Sequence, residues 1–170
     1  MRRLSSCASA RSRVTRPVLS IRRAHRDDLP VILQIEKKSF GSDAWSAEAF
    51  LDYLAMPTTS LFVVAIREGK VIGYALAFCG KHAELDSLAV MPALRGQGTA
   101  EALMKRVFRS VVRRGYPAMG LCVRLENSGA IQLYRKLGFV RERRINDYYE
   151  DGGPAWRMRK HLIAPSGFAA

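Results

Sequence analysis

Apolar residues recur along this chain in two spacings, and the alternation between them predicts a succession of strands and helices. Val18 to Arg23 alternates and predicts a first strand. Asp27 and Asp28 then supply a helix N-cap, and Pro30 falls in the first turn of a helix running to about Ser39. Ile32, Ile35 and Glu36 give that helix an apolar stripe beside a carboxylate. Gly41 to Trp45 reads as a loop. Ser46 caps a short helix through Phe50, Leu51 and Leu54, which stops before Pro57 because the residue preceding a proline avoids helical geometry.

Strand-like runs follow at Leu61 to Arg67 and Val71 to Cys79, joined by Glu68-Gly69-Lys70 as a hairpin. Leu85 to Val90 is a fourth strand, and Arg95 to Ala100 a glycine-rich turn. That turn opens an amphipathic helix through Leu103, Val107 and Val111, ending near Gly115. Ala118 to Arg124 is a fifth strand, and Ala130 to Leu137 a helix stopped by Gly138. Strands from Phe139 onward and from Ala155 to Leu162 complete the chain. Runs of strand and helix interleaved in this order predict a mixed α/β fold of about seven strands.

A length of 170 residues suits one domain, assigned here to residues 18–164, with a C-terminal tail at 165–170. The longest clean apolar run, Leu61 to Ile66, falls far short of the roughly 20 residues of a membrane span, so no membrane partner is expected. The net charge of +13 is the unusual number. Five of those charges, Arg2, Arg3, Arg11, Arg13 and Arg16, lie in an acid-free stretch. Residues 1–17 therefore read as a basic disordered tail, a transit peptide, or an overextended start. A basic surface can draw nucleic acid or an anionic cofactor. No nucleic-acid motif accompanies it, so nucleic acid is disfavoured as a partner. Cys7, Cys79 and Cys122 are widely spaced, which fits a reduced, cytoplasmic setting, and the histidines show no metal-ligand spacing, so no metal is expected.

The turn Arg95-Gly96-Gln97-Gly98-Thr99-Ala100 carries the first chemical signal. A helix start exposes N–H groups without internal partners and adds the positive end of the helix dipole. Glycines let an anion approach those groups. The turn suits a diphosphate; its plain alternative is an ordinary strand-to-helix connection. A dinucleotide fingerprint would need a third glycine where Glu101 stands, and a Walker loop would need Lys-Ser/Thr after the last glycine.

Arg95-x-x-Gly98-x-Ala100 resembles the acetyl-CoA motif of the GNAT acetyltransferases. The preceding Leu85-Asp86-Ser87-Leu88-Ala89-Val90-x-Pro92 is similar to that family's fourth strand. Downstream, Val123-Arg124-x-x-Asn127-x-x-Ala130-Ile131-x-Leu133-Tyr134-x-x-Leu137-Gly138-Phe139 resembles a second family block. Trp45-Ser46, Arg143-Arg144 and Tyr148-Tyr149 extend the likeness towards the RimI-type protein N-terminal acetyltransferases, over roughly Ile21 to Met158.

The resemblance implies a GNAT fold with helices on both sheet faces and fourth and fifth strands that splay to admit acetyl-CoA as co-substrate. Backbone groups of Leu88, Ala89 and Val90 would pair with the pantetheine arm. Amides of Arg95, Gly96, Gln97, Gly98, Thr99 and Ala100 would hold the pyrophosphate. Asn127 would bond the arm, or cap the following helix, or both. Tyr134 would assist departure of the thiolate, through a hydrogen bond or a lowered pKa; outside the family block it would read as a core tyrosine. Trp45, Tyr148 and Tyr149 would frame a groove for the acceptor.

One position departs from the pattern. Where RimI-type enzymes place a glutamate before the Val-Arg pair, this chain has Cys122, to which no catalytic role is given. The carboxylates at Glu84, Asp86 and Glu36 are the alternative bases. Deprotonating an α-amine at neutral pH costs only about 1 kcal/mol against about 4.6 kcal/mol for a lysine, so a weak base favours the former. The expected reaction is direct transfer of acetyl to a protein N-terminal α-amine, such as the alanine of a ribosomal protein, by a monomer or weak dimer. A small-molecule amine acceptor and a non-catalytic acyl-CoA-binding module are the alternatives.

Overall fold

The computed structural model describes residues 18–163; the predicted tails at 1–17 and 165–170 lie outside these. The described chain forms strands β1 (Ser20–Arg23), β2 (Ser60–Arg67), β3 (Lys70–Cys79), β4 (Ala83–Val90), β5 (Ala118–Arg124), β6 (Val140–Ile145) and β7 (Ala155–His161). Its helices are α1 (Leu29–Phe40), α2 (Ala47–Ala55), α3 (Thr99–Arg113) and α4 (Ser128–Lys136). The seven strands make one sheet in the order β1-β2-β3-β4-β5-β7-β6. All neighbours are antiparallel except β4 and β5. This is the GNAT architecture expected above.

Each face of the sheet buries its own core. On one, Leu103, Met104, Val107 and Val111 of α3 and Ile131 and Tyr134 of α4 meet Leu85, Leu121 and Met158. On the other, Ile32 and Ile35 of α1 and Phe50 of α2 meet Phe62, Tyr74 and Leu76. Phe50, Phe62 and Tyr74 pack ring on ring at centroid distances of 5.6–6.0 Å. Side chains of this size contribute about 1.5–3 kcal/mol each on full burial, enough to fix both helical layers.

The helix boundaries follow local chemistry with one correction. Ser46 caps α2 as predicted, its hydroxyl accepting from the Ala49 N–H at 3.4 Å. Asp28 occupies the N-cap position of α1, but its carboxylate does not cap the helix. It accepts from the His25 N–H at 2.7 Å and takes a forked pair of 2.7 Å bonds from Arg22. The Arg22 guanidinium thereby holds the Asp28 carboxyl below its ordinary range. Charge on both partners makes this the stronger use of a buried carboxylate.

Between β4 and β5 the sheet opens. Pairing runs through Ala83–Met119, Glu84–Gly120 and Leu85–Leu121 and then stops, although both strands continue. A β-bulge lies at the point of parting. Across β3, Leu76 pairs with Ser87 and Ala77 with Leu85, leaving Asp86 as the extra residue. The bulge also inverts the facing of β4. Ala83 and Leu85 pack towards α3, whereas Ala89 packs towards α1 and α2, and Ser87 bonds Tyr74 on that same side. A bulge adds twist and bends its strand, which turns β4 away from β5.

Candidate active site

The opening between β4 and β5 leads into two cavities on opposite sides of one constriction. A cavity of about 650 Å³ lies over the turn before α3 and is walled by Leu88, Ala89, Val90, Gly98, Ala100 and α4. Another, of about 640 Å³, is walled by α1, the loop to α2, β4, β5 and the β6–β7 connection. Phe40, Leu88, Asn127, Ala130 and Tyr134 line both, so the two meet at the splay.

The first cavity ends on free donors. Gly96 and Gly98 take positive φ of 76° and 80°, and no side chain caps α3. The first backbone bond returned to this turn runs from the Ala102 N–H to the Gly98 carbonyl. Among the described residues, the N–H groups from Gly96 to Ala100 have no acceptor. A cluster of oriented donors at the positive end of a 15-residue helix suits a pyrophosphate. Past Leu85, the β4 edge facing β5 is likewise unpaired, which leaves backbone groups of Leu88 and the Val90 N–H available to an extended arm; the Val90 carbonyl is taken by Arg95, and the Ala89 carbonyl lies against Gly73 of β3.

Two residues of the turn serve it differently from expectation. The Arg95 N–H is already bound to the Pro92 carbonyl at 3.3 Å. Its side chain straps the turn down instead, donating to the Val90 carbonyl at 3.1 Å and to Ser39 at 2.9 Å. Gln97 does not line the cavity, and its amide oxygen accepts from Arg67. Asn127 caps α4, its Oδ1 accepting from the Ala130 N–H at 3.1 Å, while lining both cavities. Both of its expected roles therefore remain compatible.

Tyr134 stands at the constriction, 8% exposed, its ring edge-on to Phe139 at 5.7 Å. Burial, with a smaller effect from Tyr149, pushes its phenol above the ordinary range. The shift favours the protonated phenol at neutral pH and runs against a lowered pKa. What it can offer a departing thiolate is a hydrogen bond or a proton.

The carboxylates separate cleanly. Asp86 is aimed by the bulge into the second cavity and accepts from the Tyr53 hydroxyl at 3.0 Å. It is reachable by solvent within the recess, yet its enclosed surroundings push its pKa up to about 6, with Glu84 nearby adding to the rise. Glu84 does not line the cavity. Arg157 holds both of its oxygens, at 2.6 and 2.5 Å, so it is a structural ion pair and not a base. Glu36 is 1% exposed, and both oxygens are engaged, by the Trp45 N–H at 3.0 Å and by the Tyr74 hydroxyl. Cys122 lines the second cavity, 3.9 Å from Arg157 Nη1.

Trp45, Tyr148 and Tyr149 do come together in the second cavity, with Tyr53 as a further ring. Trp45 stacks on Tyr53 at 5.7 Å, and Tyr148 meets Tyr149 edge-on at 5.0 Å. Arg124 locks this rim. It bonds Asp43 before α2 at 2.6 Å and Asp151 in the β6–β7 connection at 3.1 Å, and lies 3.9 Å over the Tyr149 ring. Sequence reading singled out neither Tyr53 nor the clamp made by Arg124, because their partners are remote in the chain.

Comparison with known proteins agrees with this geometry. Residues 23–139 match the model of the acetyltransferase (GNAT) family. The N-alpha-acetyltransferase RimI of Mycobacterium tuberculosis is 32% identical over 148 residues, covering 83% of this chain and 91% of that protein. The N-alpha-acetyltransferase MAK3 of Arabidopsis thaliana is 28% identical over 136 residues, covering 77% and 70%. The crystal structure of the ribosomal-protein-S18-alanine N-acetyltransferase from Escherichia coli superposes with a TM-score of 0.78 at 27% identity, covering 90% of this chain and 99% of that one. With the splay, the uncapped donor turn and a family match over more than half its length, this chain belongs to the GNAT family and is an N-acetyltransferase that uses acetyl-CoA.

Proposed function

We propose that this enzyme acetylates the N-terminal α-amine of a protein. The observation that carries the reading is the second cavity: an open aromatic groove of about 640 Å³ into which β4 carries Asp86, held only by the Tyr53 hydroxyl and pushed up to about 6 by its enclosed surroundings. A base of that strength removes a proton readily from an α-amine, with its pKa of ~7.8, and poorly from a lysine near ~10.4. Three similar proteins act on α-amines or on the alanine of a ribosomal protein, by their names.

In this reading the peptide enters between Trp45 and Tyr149, and Asp86 takes the proton released as the amine nitrogen bonds to the acetyl carbon. The carbon–sulfur bond breaks, and Tyr134 donates to the sulfur that leaves. Cys122 stands aside from this chemistry. The Arg124 clamp keeps the groove assembled by tying the loop before α2 to the β6–β7 connection.

The test is a panel assay with acetyl-CoA, in which peptides with a free N-terminus compete with N-blocked lysine peptides, polyamines and amino acids. Free-N-terminal peptides, an N-terminal alanine peptide of a ribosomal protein among them, are expected to be acetylated at the α-amine, as mapped by mass spectrometry. Preferential acetylation of a polyamine or free amino acid would replace this reading with a small-molecule one.

A further inference from the structure

We propose a second anion site, separate from the acetyl-CoA cleft, that binds a phosphate group between the C-terminal half of α3 and the start of β2. A recess of about 230 Å³ opens there, lined by Arg23, Arg106, Arg113, Arg114 and Ser110 over Leu61–Val63, with no carboxylate in its wall. It shares no lining residue with either catalytic cavity. Elsewhere, three arginines that bridge elements do so on carboxylates: Arg22 on Asp28, Arg124 on Asp43 and Asp151, and Arg157 on Glu84. Among the described residues, none of the four recess arginines has a carboxylate within 4.0 Å. Residues 1–17 and 164–170 contain no aspartate or glutamate that could neutralise them.

Two of the four heads are held in place. Arg114 donates to the Ser60 and Pro57 carbonyls at 3.1 and 3.3 Å, and Arg23 donates to the same Pro57 carbonyl at 3.1 Å. Two guanidinium nitrogens, Arg106 Nε and Arg114 Nη1, are shielded from solvent without any acceptor. Gathering like charges is unfavourable, and a shielded donor without an acceptor adds a desolvation penalty. A phosphate in the recess offsets the gathered charge, since its oxygens match the forked donors that the guanidinium groups present to the opening. The charge pattern of α3 supports this. After Glu101 the helix carries Lys105, Arg106, Arg109 and Arg113 and no acid, and Arg106 and Arg113 stand two turns apart on one face.

The ligand chemistry is a phosphate oxyanion, presented by a free oligophosphate or by an RNA backbone. The experiment titrates full-length protein, saturated with CoA to fill the pyrophosphate turn, with inorganic triphosphate and separately with a short single-stranded RNA. The Arg106→Gln/Arg113→Gln protein is expected to lose about tenfold in affinity, as for charge-assisted bonds. Lys105→Gln/Arg109→Gln, equal in charge but outside the recess, is expected to bind nearly as wild type. An unchanged KM for acetyl-CoA in both variants shows that they fold. Triphosphate binding assigns a free oligophosphate, and RNA binding without triphosphate binding assigns a nucleic-acid backbone. Equal losses in the two variants, or no binding of either probe at low salt, would overturn the site.

Discussion

At the scale of single residues, the proposed division of labour rests on two shifted groups. Asp86 must be ionised to accept a proton, and its carboxyl is raised to about 6. Lowering the pH through 6 protonates it, so kcat should fall on the acid side of that value and level off above it. Asp86→Asn should abolish this limb and lower kcat by about 10²-fold, the usual worth of a positioned base. A surviving limb near 6 in that variant would assign the ionisation elsewhere. Tyr134 works in the opposite sense, since burial keeps it a phenol. Tyr134→Phe should lower kcat by roughly 10²-fold while leaving the KM for acetyl-CoA nearly unchanged; a mutant as fast as wild type would return Tyr134 to the core. Tyr134 could be singled out from the chain because it lies in a long motif. Asp86 could not be separated from Glu84, because residues two apart on a regular strand share a face and face the same chemistry. Only the bulge parts them, and Leu85–Val90 contains no glycine or proline to announce one.

At the scale of elements, the strands and helices were legible because each has an apolar stripe with its own period and chemically ordinary stops. What joins them was not. The Glu84–Arg157 pair spans from β4 to β7 and passes over β5 at Gly120, where an added Cβ would collide with both side chains. Within the sequence Gly120 is merely a weak strand residue. Its role exists only because residues 84 and 157 meet above it. Gly120→Ala should therefore displace a half-buried ion pair and cost about 1–3 kcal/mol, read as a lower melting temperature. Below that temperature kcat well above pH 6 should stay close to wild type, since neither partner lines the catalytic cavity and Glu84 acts on Asp86 only through its charge. An unchanged melting temperature would mean that the pair relaxes freely. Arg124 is another such join, with Asp43 and Asp151 lying 81 and 27 residues away.

At the scale of the whole molecule, the proposed reaction depends on two cavities that share Phe40, Leu88, Asn127, Ala130 and Tyr134 and meet there. The donor turn and α4 form one; the aromatic rim and Asp86 form the other. The thioester must reach from the first into the second, so the constriction at Leu88, Ala130 and Tyr134 is where the fold itself becomes the mechanism. Ala130 lines both cavities from the first turn of α4, at the edge of the core rather than within it. Ala130→Trp should therefore plug the passage without unfolding the domain. Acetyl transfer to a peptide should fall by more than about 10²-fold, because a misplacement of about 1 Å in a reacting pair already has that effect. The melting temperature should hold, and the Asp86 recess should keep its affinity for a product peptide, measured by titration without CoA. If the plugged enzyme still turned over at the wild-type rate, acetyl would be travelling by another route, and the opening between β4 and β5 would be incidental to the reaction.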